Sequence, residues 1–411
     1  MFAENVKLQT HVQHIRDNLN DSQIRLRILM NVLALFVYVL SVTYLTWRGW
    51  IAVNSQIPLS LFVFMISLLS IIAPVFAFTF DQGLVKRFWI KVAAYIGFYW
   101  IAFFVYAISL MLMFDVARLV NNLSGDRLIQ LIPPVLRPDL RTAVLLVLPI
   151  SLILLVVGTF FARSPKVRTY QIKVNKPMQS QGPVRIAFLS DLHVGSLVST
   201  SNISVMAERV NQQNPDIILL GGDLIDNSLH LISRHVFLDQ MRKLKAPMGV
   251  YAVMGNHELV NTTAEEMNTF LEIAGIRLLQ DEQIDFGHFV LVGRNEHQTQ
   301  YSRQLERLTP EALLETTSQH KPVIVMQHQP VDLECLSSLG TDVALAGHTH
   351  RGQLFPLNLL QKRHYAQIGR YQSFSQMHSL ISDGYGTWGP PVRIGSRSEI
   401  VMIEMSGKAA S

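Results

Sequence analysis

The residues of this 411-residue chain that could do chemistry fall in five short blocks of its second half. "SDLH" offers Asp191 and His193, and "GGDLID" offers Asp223 and Asp226. "GNHE" carries Asn256, His257 and Glu258, "QHQP" carries His328, and "GHTH" carries His348 and His350. Five of the 14 histidines are thus interleaved with carboxylates and an amide. Imidazole with carboxylate and amide oxygen suits Mn²⁺, Fe²⁺, Zn²⁺ or similar divalent ions rather than Ca²⁺. Cys335 is the single cysteine, which excludes thiolate clusters and an intramolecular disulfide. The ligands are too numerous for one four-coordinate ion. Two ions sharing a carboxylate use them better, and such sites polarise a phosphoryl group and activate water.

Each block follows a short apolar run with strand character. The runs are "VRIAFLS", "DIILLGG", "VYAVMG", "HFVLVG", "PVIVMQ" and "VALAG", with "SLIS" and "IVMIEM" near the end. "NISVMAERVNQQ", "AEEMNTFLEIAG" and "PEALLETTSQ" between them have helical spacing. Continuously apolar strands need cover on both faces, so a layered α/β domain is expected. Ligands collect at the carboxyl ends of strands in such sheets. Strand alternation predicts that Asp191 and His193 point the same way, as do His348 and His350.

In this order, "DLH", "GGDLID", "GNHE", "QHQP" and "GHTHRGQ" resemble the calcineurin-like metallophosphoesterase family over roughly 184–404. The resemblance implies a β-sandwich flanked by helices, four layers in all, with a dinuclear site at one edge. It implies that Asp191, His193 and His350 hold one metal and Asn256, His328 and His348 the other, with Asp223 bridging. By the same pattern His257 donates a proton to the leaving oxygen, Asp226 orients that imidazole, and metal-activated hydroxide attacks phosphorus. The tail "DGYGTWGPPVRIGSRSEI" resembles the bacterial membrane-associated branch, some members of which cleave lipid-linked or nucleotide-linked phosphoesters. Arg393 in that tail is a candidate phosphate or headgroup contact, because guanidinium forks phosphate oxygens well, or else a structural salt-bridge partner. The stretch "LFPLNLLQKRHYAQIGRY" is expected to form a loop over the site that reaches the bilayer. After "HFVLVG" the chain departs from the family's acidic turn with "RNEHQTQYS", so substrate selection near Asn295 and Glu296 is expected to differ and His297 is not counted as a ligand.

The first ~160 residues are of another kind. Hydrophobic residues make up 49% of the chain and charged ones only 16%, against about 25% charged in an average soluble domain. Four stretches approach the roughly 20 apolar residues that cross a bilayer: Ile28–Trp47, Ile57–Phe80, Phe88–Phe114 and Thr142–Phe161. Lys91 is the single charge within them, near a span end where a long side chain can reach the headgroups. A head at 1–27 with amphipathic spacing (Leu8, Val12, Ile15, Leu19), a linker at 162–183, the enzyme domain at 184–405 and a tail at 406–411 complete the expected organisation. The net charge of +5 could suggest nucleic acid, but the cations flank apolar segments and suit a membrane surface, so no nucleic-acid partner is expected. Most of them lie on the side shared by both termini, which places the domain in the cytoplasm at a bacterial inner membrane.

The sequence therefore points to a membrane-anchored phosphohydrolase acting on a phosphoester or pyrophosphate. A lipid-linked substrate such as UDP-diacylglucosamine is one specific reading, since four spans exceed what an anchor requires. The competing reading is a receptor or transporter whose globular domain only senses metal or phosphate.

Overall fold

A computed structural model describes residues 21–52, 58–79, 88–125, 127–130, 139–178, 180, 182–195, 200–226, 229, 234–297, 306–318, 320–361, 365, 367 and 370–408. The expected amphipathic head lies outside the described residues up to Asn20. The chain divides into two compact units, residues 1–78 with 92–156 and residues 79–91 with 157–411.

The first unit is helical: α1 (Asp21–Ala52), α2 (Leu59–Thr79), α3 (Phe88–Leu123) and α4 (Leu140–Arg163), whose last turns belong to the second unit. Among the described residues three helices are long and apolar enough to cross a membrane: Ile28–Ala52, Val92–Leu123 and Leu140–Arg163. The second expected span falls on α2, a helix of 21 residues in which several side chains lie outside the description. Large apolar residues point outward, among them Leu35, Phe36, Leu145 and Ile153. That is the inverse of a water-soluble bundle and suits a hydrocarbon solvent. The third helix runs past its expected end at Phe114. It takes in Asp115, which pairs with Arg48 of α1 and accepts a hydrogen bond from the Tyr44 hydroxyl. Pairing the two charges lowers the cost of holding either among apolar helices.

The second unit contains two six-stranded mixed sheets. The first sheet runs in the order β1-β12-β2-β3-β4-β5. Its strands are β1 (Lys166–Pro177), β2 (Val184–Leu189), β3 (Ile217–Gly221), β4 (Val250–Val253), β5 (Ile276–Leu278) and β12 (Glu399–Lys408). The second sheet runs β10-β11-β9-β8-β7-β6. It comprises β6 (Glu282–Asp285), β7 (Val290–Gly293), β8 (Val323–Met326), β9 (Val343–Ala346), β10 (Tyr371–Phe374) and β11 (Met377–Ile381). The central strands β2, β3, β4 and β7, β8, β9 pair in parallel, and every residue of β3, β7, β8 and β9 is buried.

Phe188 and Leu219 of the first sheet pack against Leu291, Met326 and Leu345 of the second in one dry cluster. The far face of the first sheet is covered by α5 (Thr200–Asn211), α6 (Arg234–Met241) and, after the short α7 (Asn256–Asn261), α8 (Ala264–Ile273) through Met206, Phe237 and Phe270. The far face of the second is covered by α9 (Pro310–Leu314) and α10 (Leu333–Ser338) through Leu313 and Leu336. Helix, sheet, sheet and helix thus stack as four layers. Each fully buried Leu or Phe contributes about 1.5–3 kcal/mol to this core.

Two expected boundaries are corrected. The stretch 162–183, read as a linker, contains β1, which lies parallel to β12 from Lys166↔Glu399 onward. Apart from Ile172 and Val174, which are buried, its side chains are exposed or half-buried, so the hydrophobic signal of a strand is weak there. The tail from 406 continues β12 to Lys408.

Candidate metal centre

The five chemical blocks lie immediately after β2, β3, β4, β8 and β9, so the paired sheets bring together residues up to 159 positions apart, from Asp191 to His350. Strand alternation is not what aims them, which corrects the expectation. The strands have ended, and Asp191 (φ 55°), His193 (46°), Asp223 (51°), His348 (68°) and His350 (45°) all adopt left-handed backbone. Such conformations cost a non-glycine residue about 1–3 kcal/mol and persist where the surroundings over-determine them. Two glycines make room for the turns. A Cβ on Gly255 would collide with Asp223 Oδ1, and one on Gly347 with Asp191 Oδ2 and Ser190 Oγ.

Asp191, His193 and His350 form one group, and Asp223, His328 and His348 a second, each able to direct one atom to a common point. In the first group the Nε2 atoms of His193 and His350 are 3.0 Å apart, and Asp191 Oδ1 lies 3.5 Å from His350 Nε2. In the second, His328 Nε2 is 3.1 Å from Asp223 Oδ2, 3.2 Å from His348 Nδ1 and 3.2 Å from Asn256 Oδ1. Asp223 Oδ2 is also 3.8 Å from His193 Nε2, which puts this carboxylate between the groups.

Neighbouring bonds fix which ring nitrogens point inward. His328 donates from Nδ1 to the Gly221 carbonyl at 2.8 Å, leaving the Nε2 lone pair inward. Asp226 Oδ1 accepts from Nδ1 of both His193 (3.0 Å) and His257 (2.9 Å), so Nε2 of each ring faces the cavity. Carboxylates behind ligating imidazoles orient them in this way. Lone pairs facing lone pairs at about 3 Å repel unless a proton or a cation lies between them. The donor set, all N and O, fits divalent first-row ions.

The electrostatics agree. Burial raises the Asp191 pKa, and the nearby Asp223 charge adds to it. Burial opposes ionisation of Asp223 too, but the His328 charge and hydrogen bond hold it well below the usual carboxylate range. For Asp226, burial is outweighed by the bonds from His193 and His257, and the pKa falls to about 2. His257 is pushed up to about 9: burial disfavours its charge, but the Asp226 hydrogen bond and the Asp223 charge prevail. Burial and the His328 charge push His348 down to about 3. A cation would hold both buried carboxylates ionised.

Three further residues matter. Glu258, quoted in "GNHE" without a role, is buried and accepts the backbone N–H groups of Gly255 (2.7 Å), Ile225 (2.9 Å) and Asp223 (3.0 Å). It ties the second and third chemical loops together. Tyr365, within the stretch expected to cover the site, packs edge-on to His348 at 5.8 Å. Arg393 is a correction. Its guanidinium is fully buried behind the site, donating to the Asp383 carbonyl at 2.6 Å and to Ser396 Oγ at 3.2 Å, with Nη2 3.0 Å from His350 Nδ1. It braces a candidate ligand and cannot reach a phosphate in the cavity. His297 faces Arg307 at 2.7 Å, in none of the ligand groups. A cavity of about 360 Å³ is lined by His193, Asp223 and His257 together with Leu357 and Trp388. Lys362 and Arg363 of the expected covering loop lie outside the described residues.

Residues 184–352 match the family model for calcineurin-like phosphoesterases. An uncharacterised metallophosphoesterase of Helicobacter pylori is 32% identical over 248 residues, which are 59% of this chain and 65% of that protein. A transmembrane protein with metallophosphoesterase domain from Bos taurus is 28% identical over 315 residues, 71% of this chain and 66% of its own length. A dimetal phosphatase from Danio rerio is similar in structure at a TM-score of 0.33 and 16% identity, covering 49% of this chain and 88% of that one. The chain thus spans about two thirds of the length of the curated relatives cited here. The motifs and the family match agree over the same stretch, so residues 184–352 form a domain of the calcineurin-like phosphoesterase type.

Proposed function

We propose that this chain is a membrane-anchored, metal-dependent phosphohydrolase cleaving a phosphoester or pyrophosphate bond. The observation that carries this reading is the clustering of Asp191, His193, His350, Asn256, His328 and His348, with Asp223 Oδ2 3.8 Å from His193 Nε2 and 3.1 Å from His328 Nε2. Asp191, His193 and His350 would hold one divalent ion, Asn256, His328 and His348 another, and Asp223 both; Mn²⁺, Fe²⁺ and Zn²⁺ all suit the donors. Bound there, the ions would supply Lewis-acid polarisation of a phosphoryl oxygen and activation of water. His257 would serve the leaving oxygen. Its Nδ1–H is held by Asp226, so Nε2, 4.0 Å from Asp223 Oδ2, is aimed into the cavity to deliver a proton.

Leu357 and Trp388 in the cavity lining favour a substrate with a lipid part, UDP-diacylglucosamine being one candidate. Counting α2 gives four spans, both termini on one side, and the domain at the cytoplasmic face of a bacterial inner membrane, since most flanking cations lie there. Against the receptor or transporter reading, every ligand position is filled and His257 is oriented. Purified full-length protein with Mn²⁺ should hydrolyse a chromogenic phosphodiester. Turnover unchanged in Asp223→Ala and His257→Ala would overturn the proposed site.

A further inference from the structure

The end of α4 is gripped by the domain that follows it. The Gly158 carbonyl accepts the Arg393 backbone N–H at 2.9 Å, and the Ala162 carbonyl accepts Ser398 Oγ at 2.7 Å. The Arg397 guanidinium lies over Phe160 and Phe161, 5.6 and 5.4 Å from the ring centroids. A side chain on Gly158 would collide with Val392, so the close approach needs glycine. At about 1.5 Å rise per residue, Gly158 lies roughly 7 Å inside a span that ends at Arg163. Only Ser164 and Pro165 separate α4 from β1. A membrane-spanning α4 therefore fixes the segment 392–398 at the bilayer surface.

That segment also pairs with the strip, Gln353 to Leu357, that lines the metal cavity. Ile394 bridges to Leu354, and its carbonyl accepts the Phe355 N–H at 2.9 Å. Gln353 ties this strip to Trp388, donating to the Trp388 carbonyl at 2.9 Å and accepting its N–H at 3.1 Å. Phe355, Leu357, Leu359 and Trp388 are 48%, 41%, 53% and 56% exposed. Side chains of this size left in water forgo about 25 cal/mol for each Å² they could bury. The segment 385–390 has a second neighbour: Thr387 lines a cavity of about 170 Å³ with Arg163 and Arg209, at the level where α4 ends. Guanidinium groups at that level meet the anionic surface of a membrane.

We propose that Phe355, Leu357, Leu359 and Trp388 form a plate immersed in the lipid bilayer, so that the metal cavity opens onto the membrane and admits phosphoesters whose apolar part remains in the lipid. The proposal rests on the reading that α4 spans a membrane. Lipid is the occupant rather than a second copy of the chain because the plate is tied through Ile394 and Gln353 to the segment packed on the end of α4, and because Arg163 and Arg209 lie beside Thr387.

The test uses full-length Cys335→Ser protein carrying single spin-labelled cysteines at Leu359→Cys, Ile153→Cys or Glu315→Cys, in phosphatidylcholine–phosphatidylglycerol vesicles. Collision with oxygen, which concentrates in lipid, is compared with collision with a water-soluble nickel chelate. The proposal predicts that the label at 359 matches the one at 153 in its high oxygen-to-nickel ratio, with the label at 315 several-fold lower. A label at 359 that behaves like 315 while 153 remains lipid-exposed overturns the plate and leaves the span standing. Nickel access at 153 overturns the span, and the plate with it. A label at 359 shielded from both reagents and broadened by a second label identifies an interface between copies instead.

Discussion

Asp226 holds two imidazoles with one oxygen, and this doubles its importance. Asp226→Asn should weaken metal binding by about 10–100-fold, as loss of partners behind ligands does, and also lower turnover. His257→Ala separates the two effects: kcat should fall about 10²–10⁴-fold with metal content unchanged, measured by elemental analysis beside the phosphodiester assay. Loss of metal in that variant would make His257 a ligand. Glu258→Gln replaces one accepting oxygen with a donor facing backbone N–H groups. It should destabilise the domain by about 1–3 kcal/mol for the unpaired group, read as a lowered Tm. The candidate ligands were legible in the sequence because metal chemistry restricts residue type. Glu258 was not, because its partners are main-chain groups that any sequence provides. Arg393 was misread for a related reason: an arginine beside phosphate motifs has the same letters whether it faces substrate or braces His350 from behind.

Elements that are buried on both faces announce themselves, and β2, β3, β4, β7, β8 and β9 lie where apolar runs predicted strands. β1, β6 and β10 escaped notice because they present mostly exposed or half-buried residues and so lack a continuous run. The loops after the strands were located but their conformation was not, since a left-handed Asp or His leaves no trace in hydrophobic periodicity. The glycines beside them carry that information. Gly255→Ala and Gly347→Ala should each keep the far-ultraviolet circular dichroism of the wild type while losing bound metal, because the added methyl displaces Asp223 or Asp191. Full metal occupancy in either variant would show that the loops yield more easily than their packing implies.

At the scale of the molecule, two kinds of surface meet in one chain: helices with apolar residues outward and a four-layer domain with apolar residues inside. The protein should accordingly sediment with membranes through alkaline carbonate washes and be released by detergent; release by carbonate alone would mark a peripheral protein. Chelation should abolish hydrolysis, and added Mn²⁺ or Zn²⁺ should restore it. The claim beneath all of this is that the two donor groups hold metal. Anomalous diffraction from crystals of the metal-loaded protein tests it most directly. The account predicts two peaks about 3.5–4 Å apart, one beside Asp191, His193 and His350, the other beside Asn256, His328 and His348, both touching Asp223. A metal-replete, catalytically active crystal with peaks elsewhere, or with Asp223 bound to neither, would contradict it.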